Sequence, residues 1–179
     1  MQAEAECAYR RLLAPEEQGP VSLLERRAVA AFVAVLQGEP QTHAHFVALL
    51  RGTDPALAPL ALLIQSEAEG SAHPGPYGVF PEGPLTAESL DGPVYRVDGT
   101  TRRQLGARLA AALEHAHLLA LHPRDAKPEE LEALLAVGWT REGIVILSQI
   151  VGLVVFQARV VAGLRAYLAV RQPHLQADE

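Results

Sequence analysis

The 179-residue sequence predicts an all-α fold: one helical domain of two helical parts, 1–70 and 100–171, joined by a Gly/Pro-rich crossing arm at 71–99. Three observations predict it. Outside the arm, apolar residues recur at the three- and four-residue spacing of one helix face. The segment boundaries carry helix punctuation, with Ser or Thr ahead of Glu or Gln at the starts, proline in first turns and glycine at the ends. A chain that is 49% hydrophobic at this length can also bury one sizeable core.

The elements follow in order. "AEAECAYRRLLA" reads as a helix that stops at Pro15. In "SLLERRAVAAFVAVLQG", Ser22 and Glu25 form a capping-box pattern, Leu24, Ala28, Ala31, Phe32 and Val35 share one face, and Gly38 ends the run. Thr42 is expected to cap a short helix carrying Phe46, Leu49 and Leu50. Asp54 and Pro55 open the next, through Leu57, Leu60, Ala61 and Ile64, and Gly70 closes it. The arm that follows combines prolines and glycines with Tyr77, Phe80 and Tyr95. Those aromatics have surface to bury and the prolines restrict the chain, so the arm is expected to pack in an ordered way. Thr101 and Gln104 repeat the capping pattern before Leu105, Leu109, Leu113, Ala116 and Ala120, while Pro128 opens "PEELEALLAVG" and Gly138 closes it.

The longest helix starts at Thr140, in "REGIVILSQIVGLVVFQARVVAGLRAYLAV". Ser148, Gln149, Gln157 and Arg159 interrupt the unbroken apolar run of about 18 residues that a membrane span requires, so no membrane insertion is expected. A buried central helix, or one packed at a subunit interface, is the reading, and a symmetric homo-oligomer follows from it. Advancing 100° per residue places Gln149, Gly152, Phe156, Arg159 and Gly163 on one stripe.

Charge and cysteine content narrow the function classes. The formal charge is -6, with Lys and Arg dispersed, so no basic stripe exists to follow a phosphate backbone and nucleic acid is not an expected partner. The N-terminus has no basic region ahead of an apolar run, and a cytoplasmic location is the expectation. Cys7 is the sole cysteine, which rules out an intrachain disulfide or a CxxC redox pair. It is expected to be a small packed hydrophobe. The pairs His43/His45 and His115/His117 are each two apart, which on a helix directs the rings away from each other, and His122 beside Pro123 reads as a loop residue. No metal site and no cofactor are expected.

Two blocks, "LLERRAVAAFVAVLQGEPQTHAHFVALL" and "LEALLAVGWTREGIVILSQIVGLVVFQARVVAGL", cover about a third of the chain. Together they resemble the carboxymuconolactone decarboxylase and alkylhydroperoxidase D-like superfamily, particularly its peroxidase-related members. The first is similar to the family's helix, glycine turn and His-bearing helix. The second is similar to its C-terminal helix pair, with Phe156, Arg159, Gly163 and Leu164 at characteristic positions. The resemblance implies an alkylhydroperoxidase D-like helical bundle assembled as a symmetric oligomer. It also implies a CxxC pair at the start of the second helix, where the helix N-terminus would lower a thiol pKa. Aligned on Gly38, those positions hold Glu39 and Thr42, and the family's relay histidine falls on Phe46, beside His45.

The candidate catalytic residues are therefore His45, Glu25 and Glu39, and the candidate substrate-binding residues are Arg159, Gln149, Phe46 and Thr42. His45 has the chemistry of a general base near neutral pH. Arg159, midway along an apolar helix, is expected to need an anion, either Glu25, Glu39 or a ligand carboxylate. Glu39, ahead of Pro40, should be extended with its carboxylate in water. Two functions compete. The first is an accessory or small-molecule-binding protein that keeps the fold without the thiol chemistry, with a cysteine-bearing relative as its partner. The second is an acid/base enzyme of the decarboxylase type acting on a small carboxylate. A peroxidase-related antioxidant activity ranks below both, because it needs a thiolate and a resolving thiol.

Overall fold

The computed structural model describes the backbone of residues 2–175 and the side chains of residues 4–171. Among them are eight α-helices: α1 (Gln2–Leu13), α2 (Leu23–Gln37), α3 (Pro40–Arg51), α4 (Ala58–Ser71), α5 (Gly99–Leu105), α6 (Ala107–Leu121), α7 (Pro128–Ala136) and α8 (Arg141–Leu175). The all-α class holds, with no strand among the described residues and one isolated bridge, Gly78 to Leu90, inside the arm.

The centre of the bundle is α2, not the long C-terminal helix. Every residue from Ala28 to Leu36 is buried, so α2 is apolar all round, and α3, α4, α6 and α8 all pack on it. Its ends are fixed as the sequence indicates: Ser22 and Glu25 exchange both capping bonds, and Gly38 takes the left-handed conformation (φ 65°) that a side chain would resist.

The long helix α8 is divided in role. Ile144, Leu147, Val151, Val154 and Ala158 form a buried stripe packed toward the bundle. Toward its C-terminal end the helix has little cover, leaving Leu164, Tyr167, Leu168 and Val170 exposed. The expectation of a buried central helix therefore fits only the first half. The stripe of Gln149, Gly152, Phe156, Arg159 and Gly163 lies on the exposed face, because a helix at the rim of a bundle turns its small and polar side outward. By length and composition α8 is long and apolar enough to cross a membrane, despite its polar interruptions. Its most apolar window has mean hydropathy 2.1 and is 33% buried.

Two helix starts differ from expectation. Glu39, not Thr42, is the N-cap of α3, since Pro40 fits the first turn and draws the start back three residues. Asp98 caps α5 through the amides of Thr100 and Thr101, and Gly106 (φ 80°) then breaks the run into α5 and α6.

The arm crosses from α4 to α5 packed on the ends of α4 and α6. The Tyr77 amide donates to the Leu121 carbonyl (2.9 Å), and its hydroxyl donates to the Pro93 carbonyl (2.7 Å), tying the outgoing and returning segments of the arm. Tyr95 lies against Phe32 with ring centroids 5.5 Å apart. Phe80 sits under the Arg124 guanidinium, 4.0 Å away.

Candidate functional site

The opening of α3 and the middle of α8 form the walls of an apolar cleft of about 440 Å³, completed by α1. Phe46, Leu153, Phe156, Val160 and Val161 supply its apolar surface, and Gln41, Thr42, His45, Gln157 and Tyr9 its polar atoms. At the wall, the Tyr9 hydroxyl and His45 Nε2 lie 2.8 Å apart. The His45 ring also meets Phe46 edge-on, at 4.9 Å between centroids. Burial raises the Tyr9 pKa, partly offset by the Arg27 charge, so the phenol stays neutral and can donate to an unprotonated His45. Phe156, at 62% exposed, forms the outer lip.

Beside this cleft, Glu39 does not face water. Only 6% exposed, it accepts the Thr42 amide (2.6 Å), the Thr42 hydroxyl (2.7 Å) and an Arg165 N–H (2.8 Å). The Thr42 hydroxyl bond is the largest influence holding its pKa down to about 2. A carboxylate so committed is a cap and an ion-pair partner, and its charge favours the helix N-terminus.

The remaining candidates lie elsewhere. Glu25 is used by its cap and by Arg108, whose Nε donates to it at 2.6 Å. Arg108 also reaches the Gly138 and Pro20 carbonyls and lies over the Trp139 ring. Gln149 is exposed on a shallow crevice beside Glu142, Arg11 and Gly152. Arg159 is exposed too, on a separate crevice with Gln37, His73 and Pro74. Among the described residues no carboxylate pairs with it, so the expected anion is not there. The arginine that meets Glu39 is Arg165, six residues on, because the outward turn of the Gln149–Gly163 stripe carries Arg159 away from α3. Thus the fold brings His45, Phe46 and Thr42 together, sets Glu39 next to them, and separates Glu25, Gln149 and Arg159.

A second polar cluster lies under the arm, built from histidines that the spacing argument sets aside. His122 lies in the turn just past α6, as its place beside Pro123 suggests, but it is buried there, because the Tyr77 ring stacks on it at 4.8 Å and an interplanar angle of 10°. His117 Nε2 meets the Ser71 carbonyl (3.1 Å), His117 Nδ1 meets His122 Nε2 (3.3 Å), and His122 Nδ1 meets Asp125 (3.2 Å). The proton positions follow from the partners. A carbonyl only accepts, so His117 Nε2 carries hydrogen. Burial lowers the His117 pKa to about 4, so its ring is neutral and Nδ1 accepts from His122. Asp125 also accepts, so all three bonds exist together only when His122 holds both protons. Burial lowers the His122 pKa and Asp125 opposes that shift. Asp125 Oδ1 further accepts the Val79 amide (3.0 Å), which ties the chain to the arm. His115 is different again: it is buried, and neither ring nitrogen has a hydrogen-bond partner.

Tyr9, Gln157, Arg165 and the His117–His122–Asp125 chain were not legible as site residues in the sequence. Their partners are 36, 126 or 46 positions away in the cases of Tyr9–His45, Arg165–Glu39 and His117–Ser71. Only the fold sets those pairs side by side. Among the described residues no group of three or more His, Cys, Asp or Glu could hold a metal ion. Cys7 is exposed on α1, not packed, because α1 turns Tyr9 and Leu12 toward the core instead. Comparison with models of known protein families and with curated proteins finds no match to this chain.

Proposed function

We propose that this protein is a small-molecule-binding member of the carboxymuconolactone decarboxylase and alkylhydroperoxidase D-like group that works without the thiol pair, and that its ligand site is the Tyr9–His45 cleft. The supporting observation is the cleft's composition: one hydrogen-bonded polar pair, Tyr9–His45, at the wall of an otherwise largely apolar groove. Such a lining takes a molecule with an apolar body and a single polar end. The body lies along Phe46, Leu153, Phe156 and Val160, and the polar end exchanges a hydrogen bond with Tyr9 or His45. The glycine turn followed by a His-bearing helix, with the α7–α8 pair, supports the family reading. Lone Cys7, exposed on α1 and not among the cleft residues, supports the thiol-free one. A decarboxylase-type reaction on a small carboxylate loses its anchor, since Arg159 is not among the cleft residues. The exposed apolar residues of α8 beyond Val160 support a homo-oligomer in which a second copy covers them.

The test is a thermal-shift series with 1-octanol, octanoate and, for contrast, succinate. Octanol or octanoate should raise Tm by several degrees, and Tyr9→Phe combined with His45→Ala should lose most of that shift. Val160→Trp, which fills the outer cleft, should abolish it, and Arg159→Leu should leave it intact. A succinate response that depends on Arg159 would overturn the reading in favour of acid/base chemistry on carboxylates.

A further inference from the structure

A further concavity shares no lining residue with the Tyr9–His45 cleft, and its lining has a charge character of its own. It is a crevice of about 600 Å³ between the last turn of α4 and the returning segment of the arm, Pro93–Arg96. Glu67 is the one carboxylate in its lining. One carboxylate oxygen accepts the Tyr95 hydroxyl (2.7 Å) and the other the Thr101 hydroxyl (3.1 Å). Both donors are neutral, so they orient the carboxylate without cancelling its charge, and each oxygen keeps lone-pair capacity. Among the described residues Glu67 has no ion pair. Burial and the Glu67 bond both push the Tyr95 pKa up, so that donor stays protonated.

The α4 end adds to the same sign. Gly70, Ser71 and Ala72 line the crevice at the C-terminus of a 14-residue helix with no basic residue in its last turn. The partial negative charge of the terminal carbonyls therefore adds to that of Glu67. Ser71 and His117 satisfy some of these carbonyls through neutral donors. Tyr95, its ring packed on Phe32 and His117, lines the crevice beside Val94. Two groups oppose. His73 turns Nδ1 to the Pro74 carbonyl, and the Arg96 guanidinium is drawn to Glu130 at 3.0 Å, at the exposed mouth.

We propose that this crevice binds a small organic cation, an aliphatic primary amine or diamine whose ammonium group sits against Glu67 and the α4 carbonyls, with its carbon chain on Val94 and Tyr95. The site is independent of the Tyr9–His45 reading and stands or falls separately. Isothermal titration with putrescine and ethanolamine, and with succinate as the opposite charge, tests it at low and high salt. Binding of the amines should weaken at high salt, and Glu67→Gln, which keeps an acceptor for Tyr95, should weaken it at least tenfold. Val94→Trp, at an exposed position on the crevice wall, should block it without touching the core. Arg96→Ala should tighten it by removing the like charge at the mouth. His45→Ala should leave it unchanged. Succinate binding in place of the amines, amine affinity unaltered by both Glu67→Gln and Val94→Trp, or no heat from any amine would each overturn the proposal.

Discussion

The His45 cleft and the His117–His122 cluster hold the same side chain in opposite conditions. His45 is exposed and has one side-chain partner, Tyr9, so its ring is free to change partners when a ligand arrives. His117 and His122 are buried, packed against Tyr95 and Tyr77 respectively, and linked from the Ser71 carbonyl through to Asp125. A ring with every nitrogen committed holds structure; a ring with one loose bond can serve binding. The difference teaches that histidine density in a sequence does not separate an exposed ring with a single partner from rings wired into the core.

The contrast predicts unequal costs of substitution. Tyr77→Ala should destabilise by about 3–5 kcal/mol, since it removes a fully buried aromatic, its stacking on His122 and its bond to the arm. Denaturant unfolding measures this directly. A cost under about 1 kcal/mol would mean that the arm is not held where the cluster places it.

Acid should cost stability at His117 before it reaches Glu39. His117 titrates at about 4 in the fold against 6.5 for the free ring, so the unfolded chain binds more protons between those values. Stability from this residue is complete above about pH 6.5 and declines as pH falls toward 4, by about 2 kcal/mol after allowance for screening. Glu39 follows in a lower window. Its carboxyl moves from 4.5 to about 2, so its contribution is full above about pH 4.5 and is lost as pH falls through 2. His117→Gln should flatten the first decline and leave the second, in unfolding curves collected at successive pH values.

The sequence made most of the helices legible because their faces and caps are local. Ser22–Glu25, Gly38, Pro128 and Gly138 each act within one turn of chain. It also marked His45, Phe46 and Thr42, which sit on one short helix and reach one cleft. What it could not show were pairings across the fold. Whether Arg159 or Arg165 meets Glu39 depends on which side of α8 faces the bundle, and an apolar run this continuous does not reveal that side. His117 and His122 meet because α6 ends at Leu121 and the chain turns there, which helical spacing does not anticipate.

His115 offers a smaller and opposite effect. Its two ring nitrogens are buried without partners, a condition that costs about 1–3 kcal/mol for a polar group. His115→Leu should therefore leave stability unchanged or raise it by about 1 kcal/mol. A loss of more than about 2 kcal/mol would show that the ring has a partner in solution. Smaller still, His45→Ala and Cys7→Ser should each change stability by no more than about 0.5 kcal/mol, as exposed positions do. Cys7→Ser should also leave alkyl hydroperoxide turnover at the background level, because a lone thiol has no resolving partner. A dithiol-dependent turnover that Cys7→Ser removes would restore the peroxidase reading.

The central claim, that the loosely held histidine marks the ligand site and the wired ones do not, is tested most directly by following the ring ¹⁵N resonances of all the histidines while 1-octanol is titrated. The His45 resonances should shift in proportion to binding and report a change of hydrogen-bond partner, while those of His117 and His122 stay fixed. Shifts confined to His117 and His122, with His45 unmoved at saturation, would contradict the claim.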